Sequence, residues 1–107
     1  MPPSYLSLSA TAILQAVANG YVYGFDIMDA TGLPSGTVYP ALRRMEEAGL
    51  IDSRWEKAEV AQREQRPARK YYELTKAGQS ALAEAAARYR MAAPAPARAT
   101  KPSPARR

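Results

Sequence analysis

GLPSGTVYPALRRMEEAGLIDSRW, residues 32–55, followed by RKYYELTKAG at residues 69–78, is the part of this 107-residue chain whose reading decides the fold. After the stop at Gly32 and the Leu33-Pro34 pair, Ser35 stands where an N-cap hydroxyl takes a free backbone N–H of a new first turn. Val38, Ala41, Leu42 and Met45 then recur at helical spacing and form one apolar stripe. The opposite face holds Gly36, Pro40, Arg43 and Glu47, flanked by Thr37 and Arg44 on one side and Tyr39 on the other. Gly49 ends the helix as a left-handed cap. Pro40 forfeits one backbone hydrogen bond and presses on the carbonyl four residues back, so an irregularity is expected in an otherwise intact helix.

Outward from this helix the period changes. Leu50 to Glu56 alternates, with Ile51, Ser53 and Trp55 on one side, and Arg69 to Leu74 alternates again with Tyr72 and Leu74 on one face. The polar stretch Lys57 to Ala68 joins them as a charged loop, so the two strands make a hairpin wing. Thr75 caps a last helix, Lys76 to about Arg90, bearing Ala77, Ala81, Leu82, Ala85, Ala86 and Tyr89. Upstream, Ser9 can cap a helix carrying Ile13, Leu14 and Val17 that Asn19-Gly20 closes. A second helix, about Tyr23 to Ala30, offers Phe25, Ile27 and Met28 as buried residues and stops at Thr31-Gly32, close enough to the next helix for a helix-turn-helix. The expected fold is mainly α with a small β-hairpin: a winged helix-turn-helix with three N-terminal helices, a two-stranded wing and a C-terminal helix. Winged helices mostly bind DNA.

The stretches YGFDI at residues 23–27, SGTVYPALRRMEEAGLI at 35–51 and RKYYELTKAG resemble the PadR family of transcriptional regulators, over about Ile13 to Tyr89. The resemblance implies a homodimeric repressor whose third helix enters the major groove and whose wing touches the backbone or minor groove. It also implies that the first and last helices build the dimer, and that some members take small aromatic or drug-like effectors. The second helix is shorter than is usual in the family, and the last is brief and alanine-rich.

Composition bounds the reading. One domain is expected over residues 1–91, followed by a disordered basic Pro/Ala/Arg tail over 92–107, whose composition cannot bury enough apolar surface to offset its ordering entropy. Cys is absent and no apolar run approaches a signal peptide or membrane span, so a cytoplasmic chain with no membrane partner is expected. The net charge of +5 divides unevenly, with +1 in residues 1–90 and +4 in the tail. Local clustering is therefore the better signal. No basic residue precedes Arg43, whereas Arg43, Arg44, Arg54, Lys57, Arg63, Arg66, Arg69 and Lys70 gather on the reading helix and wing. Interleaved Glu46, Glu47, Glu56, Glu59 and Glu64 leave an ordinary solvated face as the alternative.

Double-stranded DNA is the expected partner, contacted by Ser35, Gly36, Thr37, Tyr39, Pro40, Arg43, Arg44, Arg63, Arg66, Arg69 and Lys70. Ser35 and Thr37 suit both helix capping and phosphate binding, because unpaired donors and the helix dipole meet there. Arg43 points away from the stripe, where its fork can grip a guanine edge or pair with Glu47 one turn on. Trp55, Tyr71 and Tyr72 read as core or wing-base packing rather than a ligand platform, and Gly78 as a point of close approach between the last helix and the sheet. The expected dimer contacts are Ile13, Leu14, Leu82, Ala85 and Tyr89. With neither His nor Cys and no Gly-rich phosphate loop, no enzyme, cofactor or metal site is expected. The alternative function is a winged-helix module that docks on another protein. The tail reads equally as a basic arm adding nonspecific DNA affinity or as a solubilising end.

Overall fold

A computed structural model of the protein describes residues 6–90, so the expected tail and the ends of the domain lie outside the described residues. In chain order these residues form α1 (Leu8–Ala18), α2 (Gly24–Thr31), α3 (Ser35–Glu47), β1 (Ile51–Trp55), α4 (Ala58–Arg63), β2 (Lys70–Leu74) and α5 (Lys76–Arg88). The three N-terminal helices, the antiparallel hairpin and α5 are those expected. The short helix α4 replaces part of what reads as a loop.

Helix α1 is capped by Ser7, not Ser9. The Ser7 hydroxyl accepts from Ala10 N at 3.0 Å, and the buried Thr11 hydroxyl donates back to Ser7 O at 2.8 Å. Since the helix begins at Leu8, Ser9 already lies within the first turn. Helix α2 buries Ile27 but leaves Phe25 70% exposed, which corrects its assignment to the core. Two residues turn a helix by roughly 200°, so Phe25 and Ile27 must face opposite ways.

In α3 the stripe of Val38, Ala41, Leu42 and Met45 is fully buried. Its N-cap is Pro34, in extended conformation and without a side-chain hydrogen bond, while Ser35 is the first helical residue. Pro34 supplies the preceding turn, so the Ser35 hydroxyl is not used as the cap. The helix runs unbroken through Pro40. The missing bond falls on the Gly36 carbonyl, and since both residues are exposed, water can satisfy it. Gly49, at φ 81°, turns the chain out of the helix into β1.

The hairpin pairs Ile51 with Leu74 at its base and Trp55 with Lys70 at its far end. A third segment joins it. Tyr72 N donates to Val22 O at 2.8 Å beside a Tyr23–Tyr71 bridge, so the entry to α2 is tied to β2. At the other end of β2, the Thr75 hydroxyl accepts from Gly78 N at 2.9 Å and donates to Gly49 O at 2.7 Å. A Cβ added to Gly78 would overlap the Leu50 carbonyl, so only glycine lets α5 lie this close to the start of the sheet.

One core gathers the inner faces of α1, α2, α3 and α5 with Ile51 and Tyr72 of the hairpin. It includes Ile13 and Leu14, both 0% exposed, and Leu82 at 1%; Ala85 is likewise buried at 0%. This corrects the expected dimer contacts, because those four side chains have no surface left for a second copy. A fully buried Leu or Ile stabilises the fold by about 1.5–3 kcal/mol, and here that contribution is made within one chain. Tyr89 is half-buried, and its hydroxyl donates to Leu6 O at 2.7 Å, fastening the end of α5 to the segment before α1.

Candidate nucleic-acid interface

Helix α3 presents the first half of the site. Ser35, Gly36, Tyr39, Pro40, Arg43 and Arg44 are exposed along its outer side, with Thr37 half-buried beside them. Because Pro34 makes no side-chain cap, the first backbone N–H groups of the helix remain available to an anion. Arg43 and Arg44 pair with no carboxylate among the described residues, so the alternative of an Arg43–Glu47 pair is not formed. The neighbouring Glu46 turns instead toward the sheet, where it accepts from the Ser53 hydroxyl and lies 3.7 Å from Lys70 Nζ. The outer side of α3 thus keeps its two guanidinium groups free to meet phosphate or a base edge.

Tyr39 is positioned by a glycine. Its phenol lies over Gly24, where any Cβ would collide with the ring, so the start of α2 and the outer side of α3 meet through this contact. The ring is 47% exposed despite the packing.

The wing is built around Glu56. Its carboxylate accepts from Arg66 Nη1 and Nη2, from Arg69 N at 3.2 Å and from the Tyr71 hydroxyl at 3.1 Å. The hydrogen-bonded Arg66 guanidinium is the largest influence holding the Glu56 carboxyl down at about 2, with the Arg69 N–H and the Tyr71 hydroxyl adding to it against the opposing effect of burial. Arg66 is therefore held by Glu56, and its charge is largely offset there. Arg69 lies over the Tyr23 ring, 4.2 Å from the centroid, and Tyr23 meets Tyr71 edge to face. Burial is the largest influence raising the Tyr23 hydroxyl, and the Asp26 charge adds to it. Arg63, on α4, is exposed and makes no ion pair among the described residues.

Between α2, α3 and the wing lies an open concavity of about 710 Å³. Phe25, Tyr39 and Trp55 line it from three elements, with Arg69 just before β2 and Lys70 at its start. Trp55 is 65% exposed, so it does not pack the wing base, while Tyr72 is buried in the core. The expected DNA-contact set is brought together on α3 but divided in the wing, where Arg63 faces solvent and Arg66, Arg69 and Lys70 turn toward this concavity. Phe25, Trp55, Gly24 and Glu56 are absent from the expected set. Only the YGF triplet hinted at them, and its meaning depends on where Tyr39 lies.

A helix-turn-helix followed by a two-stranded wing, with an exposed basic side on the third helix, defines a winged-helix DNA-binding domain. The profile of the transcriptional regulator PadR-like family matches residues 13–84, and the chain belongs to that family. Among solved structures it is similar to a PadR-like transcription factor from Bacteroides fragilis, with 28% identity, 78% of this chain and 81% of that one covered, and a TM-score of 0.66. A PadR family transcriptional regulator from Eggerthella lenta gives 28% identity, coverage of 77% and 68%, and a TM-score of 0.59. A PadR-like transcriptional regulator from Bacillus cereus gives 26% identity, coverage of 77% and 81%, and a TM-score of 0.62. No curated protein matches the chain. The family is one of transcriptional regulators rather than enzymes, so the activity is DNA-binding regulation of transcription. Among the described residues, no helix is long and apolar enough to cross a membrane and no group of three acidic, His or Cys residues could hold a metal ion.

Proposed function

We propose that this chain is a dimeric repressor that recognises a two-fold operator, with α3 in the major groove and the wing along the neighbouring backbone. The observation that carries the reading is the pair Arg43 and Arg44, exposed on α3 beside an uncapped helix N-terminus and unpaired with any described carboxylate. Ser35, Gly36 and Thr37 then position a phosphate, while Tyr39, Pro40 and Arg43 meet base edges and sugars. Arg63 adds a wing contact, and Arg69 and Lys70 approach the strand that leaves the groove. Self-association uses surface that the core leaves free on α1 and α5, where Leu8 is 58% exposed. The protein acts in the cytoplasm, where its operator lies.

The test is binding of the purified chain to fragments of its own genome, with the retained fragments sequenced and their affinity followed against salt. A palindromic site and a log-log slope equivalent to roughly six to ten phosphate contacts per dimer are expected. Affinity that does not vary with salt, with no enriched site, would overturn the reading in favour of a module that docks on protein. Sedimentation as a monomer while bound to the site would remove the dimer from it.

A further inference from the structure

Among the described residues the exposed large apolar side chains are Leu8, Phe25, Tyr39 and Trp55, and three of these four line the concavity between α2, α3 and the wing. Fold stability does not account for them there. Ile27 supplies the core contact of α2, and Ile51 and Tyr72 supply that of the hairpin, so Phe25 and Trp55 are surplus to the packing. Isolated exposed apolar residues are ordinary, but three aromatic rings converging on one hollow mark a contact surface.

The charge around the hollow narrows the occupant. Arg66 is neutralised by Glu56, but Arg69 is held by stacking on Tyr23 and pairs with no carboxylate among the described residues. Lys70 Nζ lies between Glu46, at 3.7 Å, and the Trp55 ring, 5.7 Å from its centroid. The occupant must therefore offer apolar faces and negative charge in close alternation. It must also reach the outer side of α3 and the wing together, because Tyr39 belongs to both the hollow and α3. A DNA strand meets both demands, with a deoxyribose between every pair of phosphates.

We propose that this concavity is the seat of the DNA strand passing from α3 to the wing: Phe25 and Trp55 pack against deoxyribose, and Arg69 and Lys70 take the adjoining phosphates. The inference rests on the DNA-binding function above and adds two aromatic contacts to it. It also has its own physical signature. Phosphate contacts release counterions and steepen the salt dependence, whereas aromatic contacts with sugars add affinity without doing so.

The experiment uses the full chain and a fluorescein-labelled duplex carrying an inverted-repeat site recovered from its genome, with affinity measured by anisotropy across a salt series. Phe25→Ala and Trp55→Ala are each expected to weaken binding roughly tenfold, the scale of burying one aromatic side chain. The salt slope and the thermal midpoint should stay unchanged, and Trp55→Phe should restore most of the affinity. Trp55 is the sole tryptophan, so saturating unlabelled duplex should also alter the intrinsic emission of the native chain. Unchanged affinity in both alanine variants, or Trp55 emission indifferent to bound duplex, overturns the proposal while salt-dependent binding leaves the DNA function standing. A native chain that binds no duplex at any salt overturns both. Should Phe25→Ala alter self-association in sedimentation but not duplex affinity, the hollow is a seat for protein and the proposal falls.

Discussion

The guanidinium of Arg66 holds both oxygens of the Glu56 carboxylate, Nη1 to Oε1 at 2.6 Å and Nη2 to Oε2 at 2.9 Å, and so closes the wing across ten residues. Glu56 has a side chain only 5% exposed and still accepts two further bonds, from Arg69 N and the Tyr71 hydroxyl. An acid so fully partnered fixes the return path of the chain from α4 into β2. Arg69, and with it the Tyr23 stack, is aimed by that path.

Acid should loosen this arrangement. The Glu56 carboxyl lies near 4.5 in an unfolded chain and at about 2 here, so its contribution to stability is fully present above about pH 4.5 and is lost as pH falls towards 2. Thermal unfolding followed by circular dichroism should show Glu56→Gln melting below the native chain at neutral pH, with the gap closing over that acid range. A gap constant across the range would show that the charge of Glu56 does not matter.

Arginines on α3 and in the wing should separate by what they lose. Arg43→Ala and Arg44→Ala should both keep the native melting temperature; Arg44→Ala should flatten the salt dependence of duplex binding by roughly one unit of log-log slope per phosphate contact removed, whereas Arg43→Ala should also relax the preference for the recovered site. Arg66→Ala should instead lower the melting temperature, because it strands the Glu56 carboxylate. Arg66→Lys should not restore it, since an ammonium cannot form the two-pronged pair. A chain with Arg66→Ala that melts normally but binds with a flatter slope would return Arg66 to the DNA contacts.

Two glycines should respond differently to the same added methyl group. At Gly78 the obstruction is the Leu50 backbone carbonyl, which cannot move away alone, and Gly78→Ala should cost about 1–3 kcal/mol in urea unfolding. At Gly24 the obstruction is the phenol end of the half-exposed Tyr39, which can swing aside. Gly24→Ala should therefore unfold nearly as the native chain does and bind DNA more weakly.

The core assignment of α1 is open to a direct check. Leu14→Ala should lower stability by about 2–5 kcal/mol, the range for a fully buried leucine, and leave the self-association constant of the folded chain unchanged in sedimentation. A change in association with little loss of stability would place Leu14 between subunits.

Much of the fold was legible because its signals are local. The spacing of Val38, Ala41, Leu42 and Met45 defines the buried side of α3, Thr75 announces α5, and Gly78 in the first turn of an alanine-rich helix implies close approach. What could not be read depends on distant partners. Phe25 satisfies the composition of a core residue, and only the placement of Ile27 against α1 and α3 decides which way α2 turns. Six residues of α4 are too few for a period to emerge from a charged stretch. The pairing of Glu56 with Arg66 requires the register of the hairpin and the course of α4, neither of which a row of alternating charges contains. Ile13 and Leu14 look alike whether they meet α5 of their own chain or of a second one. On α3 the exposed arginines could be named from periodicity, but the aromatic hollow beside them could not, since it exists only where three separate elements converge.

The hydroxyl of Thr75 joins two elements that are separated by the whole hairpin in sequence. By donating to Gly49 O while accepting from Gly78 N, it rivets the first turn of α5 to the turn that ends α3, and Gly78 leaves no gap into which either element could slide. The start of α5 and the turn that ends α3 therefore share one joint. Helix α5 extends about 20 Å from this joint at 1.5 Å per residue, so Tyr89 and its bond to Leu6 O lie at the opposite end of the domain from that turn.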